Sequence, residues 1–213
     1  MEKIQKPLFI YDCDGTLQAP IMFTWALTKK LGLTNLSFAD YKAQKQEQNQ
    51  QNVIRTAMLP GMADLVKYTA TLGNNVLLSG GNPEQDGCKE LFDLKNYFQN
   101  WQVDGKIVPW GRVPWGVFKD NPIIADALQT AFSPSQVVVI GDCIEEFVLA
   151  VNMKAGIFIK RGASVEEEKL VGGVPNVFAM ETGIEIKKKL QELFEPSSPL
   201  PILTGGVQKS SRT

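Results

Sequence analysis

Short apolar runs alternate with longer stretches of helical periodicity over most of the chain. Four runs are aliphatic or β-branched on both faces, which is typical of strands in a parallel sheet that helices cover on both sides. These runs lie at residues 8–11, 76–78, 137–140 and 156–159. Strand and helix in repeated alternation predict βαβ units, and therefore an α/β fold with a Rossmann-like parallel sheet and helices on both faces.

The segments between these runs carry helix boundary signals. Apolar residues recur at helical spacing over residues 62–72 and stop at a glycine. Asn82-Pro83-Glu84 and Asn121-Pro122 each combine an N-cap residue with a first-turn proline, which predicts two further helix starts. Helices are also predicted from about Ile144 to Gly156 and from Ile184 to Phe194.

The stretch after the first strand interrupts this alternation because it contains no strand-like run. Residues 21–31 have the pattern of one helix, and Ser37-Phe38-Ala39-Asp40 resembles a capping box that begins a second. The polar middle of the second helix, KQEQNQQN, is typical of a solvent-exposed face. We predict a helical hairpin at residues 18–58, inserted into an α/β core of residues 1–17 and 59–195.

Two regions carry no clear periodicity. Residues 101–117 hold three of the four tryptophans with several glycines and prolines, which predicts a long, partly packed loop whose role stays open. Residues 196–213 are rich in proline, serine and glycine, and we expect a flexible tail.

Composition and charge exclude several classes of function. The 213 residues include 22 basic and 23 acidic side chains. The chain therefore has no excess of positive charge that would favour binding to nucleic acid or to an acidic membrane surface. The absence of histidine excludes Ser-His-Asp and Cys-His catalysis and any zinc site built on imidazole.

The cysteines and the apolar segments bear on localisation. Three widely spaced cysteines do not fit a disulfide framework. No stretch of apolar residues reaches the length of about 20 residues that a membrane span needs. We therefore expect a cytoplasmic protein.

Acidic residues follow two of the predicted strands. Asp12 and Asp14 come after the first strand, and Asp142 follows the strand at 137–140. Ligands of an open parallel sheet bind beyond the carboxyl ends of the strands, where these side chains could converge. Carboxylates that lie close together need a positive partner, and oxygen ligands without histidine favour Mg²⁺.

Anion-binding groups are predicted at the same edge of the sheet. Ser79 and Gly80 follow the second strand and offer a hydroxyl and free amides, while Lys119 stands just before a helix start. Together with the acids they indicate a phosphoryl site. Each group also has a structural interpretation: the acids could cap turns or a helix start, and the lysine could lie on the surface.

The motifs that carry these residues resemble those of the haloacid dehalogenase superfamily. FIYDCDGTL is similar to the first motif of the phosphatase branch with two aspartates. LLSGG, the lysine of VFKDNP, and VVVIGDCIEEF follow in the order and spacing of the other three motifs. The resemblance covers roughly residues 7–160, and it implies that the insertion is the small helical (C1-type) cap of this family.

The resemblance also implies a division of roles. Asp12 would be the nucleophile that forms an aspartyl-phosphate, and Asp14 the general acid and base. Lys119 would offset charge on the nucleophile and on the transferring group. These three residues are the expected catalytic set, and the expected substrate is a small phosphorylated metabolite.

The ligand groups follow from the same resemblance. Mg²⁺ would be held by the Asp12 carboxylate, the Asp14 main-chain carbonyl and Asp142. Ser79 and Gly80 would bind the phosphoryl oxygens. No nucleic-acid or membrane partner is expected, and the oligomeric state stays open.

The sequence departs from the family pattern at three positions. Glu146 stands where a second aspartate is usual in the fourth motif, Asp120 replaces a proline after the lysine, and Gly81 offers no side chain to substrate. None of these changes removes a core catalytic group. The expected function is a Mg²⁺-dependent phosphohydrolase; the alternatives are a phosphomutase or phosphotransferase with the same core, and a catalytically silent binding or regulatory protein.

Overall fold

The structure is a computed structural model. It describes residues 5–19, 29–30, 34–37, 39–41, 43–44, 57–80, 87–103, 106–108, 118–162 and 164–195.

Seven strands occur in the described part of the chain. In chain order they are β1 (Leu8–Asp12), β2 (Asn74–Leu78), β3 (Trp101–Val103), β4 (Lys106–Val108), β5 (Val137–Gly141), β6 (Ile157–Arg161) and β7 (Asn176–Met180). Five of them form one parallel sheet in the order β2-β1-β5-β6-β7, and β3 pairs with β4 as a separate antiparallel hairpin.

Six α-helices connect these strands within the described residues. They are α1 (Met62–Leu72), α2 (Lys89–Asp93), α3 (Pro122–Phe132), α4 (Ile144–Asn152), α5 (Glu166–Val171) and α6 (Gly183–Phe194). Asn121 caps α3 by accepting a hydrogen bond from the amide of Ile123 at 3.1 Å. The predicted bounds of α1 and α6, and the predicted start of α3, agree with the structure to within about two residues.

Helices cover both faces of the sheet, which confirms the predicted α/β architecture. Successive residues of a strand point to opposite faces, and β1 follows this rule with every side chain buried. Leu8 and Ile10 pack in a cluster that includes apolar residues of α3 and α4. Phe9 and Tyr11 pack on the other side, in a cluster that includes residues of α1 and α6.

Several elements differ from the sequence prediction. The strand β7 and the short helix α5 were not predicted, and β3 and β4 pair where a loop was expected; residues 109–117 of that predicted loop lie outside the described residues. The helix α4 ends at Asn152 rather than near Gly156, because Lys154 takes a left-handed conformation with φ of 52°. The predicted helix start at Asn82 lies outside the described residues.

The two ends of the predicted insertion lie next to each other. The amide of Leu59 donates to the carbonyl of Leu17 at 2.8 Å, and the amide of Ala19 donates to the carbonyl of Ala57 at 3.2 Å. Its described residues are helical at 29–30, 39–41 and 43–44, with the Ser37 hydroxyl accepting from the Asp40 amide at 3.2 Å.

Most of the insertion and all of the tail lie outside the described residues. The division into core, insertion and flexible tail therefore stays a prediction. Across the described ranges, none of the helices combines the length and the apolar character that a membrane crossing requires.

Candidate active site

The predicted site residues lie at the carboxyl edge of the sheet. Asp12 is the last residue of β1, Ser79 directly follows β2, and Asp142 directly follows β5. Because β1 lies between β2 and β5, these three strand ends are neighbours. The parallel pairing places Asp12 opposite Leu78, so that Ser79 stands one residue beyond it.

Lys119 connects two acidic side chains at this edge. Its Nζ atom lies 2.5 Å from Asp12 Oδ1 and 2.5 Å from Glu146 Oε1. The three side chains are only 11%, 4% and 2% exposed, so the charges interact with little screening by water. The lysine is therefore a fixed counterion for the end of β1, not a surface residue.

Burial and charge shift the pKa values of these groups. Burial raises the pKa of Asp12 to about 7; Glu146 and Asp142 add to the shift, while Lys119 opposes it. Burial would lower the pKa of Lys119, but the two carboxylates that it contacts outweigh this effect and raise the pKa above its ordinary value. Burial and Glu146 likewise raise the pKa of Asp142, against the charges of Lys119 and Arg161.

Glu146 is a site residue that the sequence analysis left off the site. Its Oε2 atom accepts hydrogen bonds from the Cys143 amide at 3.1 Å and from the Cys143 thiol at 2.7 Å, which closes a capping box at the start of α4. A side chain at Gly141 would overlap the Glu146 side chain, so glycine leaves room for this arrangement.

The signal for Glu146 was present in the sequence, since it stands at the N3 position of a predicted helix and four residues after Asp142. The Cys143 thiol contributes to the same helix cap. Burial and the contact with Glu146 raise the pKa of this thiol to about 12.

The loops after β1 and β5 are in direct contact. Gly15 has φ of 86°, and a Cβ atom there would overlap the carboxylate of Asp142. Arg161, the last residue of β6, donates a hydrogen bond from Nε to the Gly15 carbonyl. The sequence analysis missed Arg161 because a single arginine after a strand carries no motif.

Asp14 is half-buried and is held by a neighbouring amide side chain. Its Oδ1 atom accepts a hydrogen bond from Gln18 Nε2 at 2.8 Å. Ser79 is 2% exposed, whereas a side chain added at Gly80 would meet none of the described residues within 4 Å.

The donor atoms of the site fit a small hard cation. Asp142, Cys143 and Glu146 have ligand atoms within 4.8 Å of one another, but a thiol is a poor ligand for Mg²⁺ and Glu146 is already bound to Lys119 and Cys143. Lys119 contacts Oδ1 of Asp12. Asp12 and Asp142 offer carboxylate oxygens, the type of donor that Mg²⁺ prefers, at neighbouring strand ends.

Comparisons with known proteins identify the fold. No family model and no curated protein matches the chain. Among solved structures, a haloacid dehalogenase-like family hydrolase from Streptococcus pneumoniae has a TM-score of 0.53 at 15% identity, over 88% of this chain and 99% of that chain.

Two further structures are similar to the same extent. A 2-haloacid dehalogenase from Pseudomonas syringae pv. Tomato has a TM-score of 0.52 at 11% identity, over 88% of this chain and 99% of that chain. A candidate β-phosphoglucomutase from Thermotoga maritima has a TM-score of 0.51 at 16% identity, over 86% and 99%. This chain therefore has the haloacid dehalogenase-like fold.

Proposed function

We propose that the protein is a Mg²⁺-dependent phosphohydrolase that cleaves a small phosphorylated metabolite through an aspartyl-phosphate. The observation that carries the proposal is the buried contact between Lys119 and Asp12 at the end of β1. A carboxylate in this position can attack a phosphoryl group only if its charge is offset, and the lysine supplies that offset.

The first half of the reaction would transfer the phosphoryl group to Asp12. A carboxylate oxygen of Asp12 forms a bond to phosphorus as the bond to the leaving oxygen breaks, and Asp14 gives a proton to that oxygen. Ser79 and the amide of Gly80, which directly follow β2, would bind the phosphoryl oxygens. Lys119 contacts Asp12 throughout and stabilises the negative charge that the group carries.

The second half would release phosphate by hydrolysis. Asp14, now ionised, takes a proton from a water molecule that attacks phosphorus, and the bond to Asp12 breaks. Mg²⁺, held by Asp12, Asp142 and the Asp14 main-chain carbonyl, would allow the carboxylate and the phosphate to approach each other. The donor set of the site supports this ligand assignment.

Two other chemistries share the fold. A phosphomutase would use the same residues, with a substrate hydroxyl replacing water. The similarities to a candidate β-phosphoglucomutase and to a 2-haloacid dehalogenase concern the fold alone. Dehalogenation needs neither a metal nor a second aspartate, whereas Asp14 is present and is held in place by Gln18.

The proposal is tested by phosphate release from a panel of sugar phosphates and nucleotides with Mg²⁺. We expect activity that EDTA removes and Mg²⁺ restores, and we expect Asp12→Asn to lower it by a factor of about 10³ or more. Asp126→Asn, which changes an exposed acid on α3, is the matched control. Turnover by Asp12→Asn at the parent rate would refute the nucleophile assignment.

Isomerised sugar phosphate without phosphate release, followed by ³¹P NMR, would instead establish the phosphomutase. A complete absence of turnover on the panel, with Mg²⁺ bound and the fold intact, would favour the silent binding protein.

A further inference from the structure

Gln18 is a buried amide that connects Asp14 to the main chain of a distant segment. It is 1% exposed. Its Oε1 atom accepts a hydrogen bond from the Cys88 amide at 2.8 Å, and its Nε2 atom donates to Asp14 Oδ1 at 2.8 Å. Both ends of the side-chain amide are therefore engaged.

The first of these contacts fixes the orientation of the amide. A main-chain N–H can only donate, so the oxygen of Gln18 must face Cys88 and the NH₂ group must face Asp14. The reverse orientation would place two donors against each other at Cys88 and two acceptors against each other at Asp14. Gln18 thus presents a donor to Asp14 in every protonation state of that carboxyl group.

The main chain of Gln18 is fixed as well. Its carbonyl accepts from the Gly15 amide at 2.8 Å, and its amide donates to the Cys13 carbonyl at 3.0 Å. Gln18 also forms a bridge with Met58, at the point where the insertion rejoins the core. The side chain therefore rises from a tight turn that contains Asp14 itself.

We propose that Gln18 is a positioning residue for Asp14: its N–H group holds Oδ1 and so fixes the orientation of the carboxyl group toward the leaving oxygen. In the first half-reaction the O–H bond of the Asp14 carboxyl group breaks as the leaving oxygen gains that proton. In the second, the Asp14 carboxylate gains a proton from water as the water oxygen bonds to phosphorus. This inference rests on the proposed function.

Gln18→Met tests the proposal because methionine has a similar length but cannot bond to Asp14. The measurement is kcat/KM for two substrates, p-nitrophenyl phosphate, which needs little help from an acid, and glycerol phosphate, which needs protonation of its leaving oxygen. We expect a fall of about ten-fold or more for glycerol phosphate and less than about three-fold for p-nitrophenyl phosphate. Equal losses on the two substrates would overturn the proposal.

Two further variants sharpen this test. Gln129→Met makes the same change at an amide that binds the Met153 carbonyl at the far end of α3, and it should leave both substrates unaffected. Gln18→Glu keeps the acceptor for Cys88 but turns an oxygen toward Asp14. It should show the same substrate-dependent loss, and it replaces Gln18→Met if that variant does not fold.

A crystal structure of Gln18→Met, or of Gln18→Glu, separates this proposal from the proposed function. We expect the Asp14 carboxylate to rotate away from its position in the parent. An unchanged carboxylate would overturn the proposal whether or not the protein hydrolyses phosphomonoesters. A rotated carboxylate in a protein whose parent has no turnover would support the positioning role and count against the proposed function alone.

Discussion

The ammonium group of Lys119 and the carboxylate of Asp12 lie 2.5 Å apart at the carboxyl end of β1, and both are buried. The same ammonium group contacts Glu146, which is anchored in turn to the first turn of α4. A single side chain thus balances two acids from different elements of the fold. Because Lys119 lies far from Asp12 in the sequence, the charge balance of the site depends on the folding of distant segments against each other.

Removing this cation should impair both activity and stability. We expect Lys119→Met to lower kcat/KM by about a hundred-fold, because a preorganised charge is lost. The variant leaves two buried acids without their partner, so the free energy of unfolding at pH 7 should fall by about 3 kcal/mol. Phosphate release and urea denaturation measure the two effects, with the exposed Lys67→Met as control. Parent-like turnover by Lys119→Met would contradict the role of the lysine.

A methyl group at Gly15 should disturb the contact between the loops after β1 and β5. Gly15→Ala places a Cβ atom in the space of the Asp142 carboxylate, so we expect weaker Mg²⁺ activation. Gly172→Ala is the control, because Gly172 also has a positive φ of 72°, but no atom of the described residues lies within 4 Å of an added Cβ. A non-glycine residue at such a backbone conformation costs about 1–3 kcal/mol, and only Gly15→Ala should raise the Mg²⁺ concentration for half-maximal activity. If both variants reached half-maximal activity at the same Mg²⁺ concentration, the contact between Gly15 and Asp142 would be refuted.

The stability of the metal-free protein should fall as pH rises toward neutrality. Burial raises the pKa of Asp12 to about 7, whereas an aspartate in an unfolded chain titrates near about 3.9. Between these values the folded state binds more protons than the unfolded state, so the free energy of unfolding decreases with increasing pH across about pH 4 to 7. Urea denaturation in EDTA at a series of pH values measures this slope. Asp12→Asn lacks the titrating carboxyl group, so its free energy of unfolding should fall less steeply with pH. Equal slopes for the variant and the parent would disprove the pKa shift of Asp12.

A second buried ion pair lies outside the candidate site. Lys160 Nζ is 2.7 Å from Glu168 Oε1, with the two side chains 19% and 0% exposed. Lys160→Met strands a buried carboxylate and should lower the free energy of unfolding by about 3 kcal/mol. The double variant Lys160→Met, Glu168→Leu should recover most of this loss in thermal or urea denaturation. Additive losses in the double variant would show that the pair is not coupled.

Elements with two apolar faces or strong caps were predictable from the sequence. The runs in β1, β2, β5 and β6 are buried on both faces, and such runs are visible without knowledge of their neighbours. The strand β7 was missed because it lies at the edge of the sheet and most of its residues are only half-buried or exposed. The hairpin of β3 and β4 was missed because three-residue strands are too short for a period to show.

Only the site residues that belong to the sequence motifs could be predicted. The motifs indicated that Lys119 would lie near Asp12, and the structure brings these two together. The motifs did not indicate Gln18 or Arg161 as site residues. Each of these two residues acts through a contact with a loop that precedes it in the chain, and a motif does not show such a contact. Glu146 was noticed as a departure from the family pattern, but its partner Lys119 comes from a separate segment that only the folded chain brings near.

The position of β1 has a consequence for the nascent chain. Among the described strands β1 comes first in the chain, yet one of its two neighbours, β5, follows more than half of the chain later. Until β5 emerges from the ribosome, the edge of β1 that pairs with β5 has unpaired amides and carbonyls. A chain truncated before Val137 keeps that edge permanently open, and such an edge is a template for aggregation. We therefore expect a chain that ends before Val137 to aggregate more readily than the full chain.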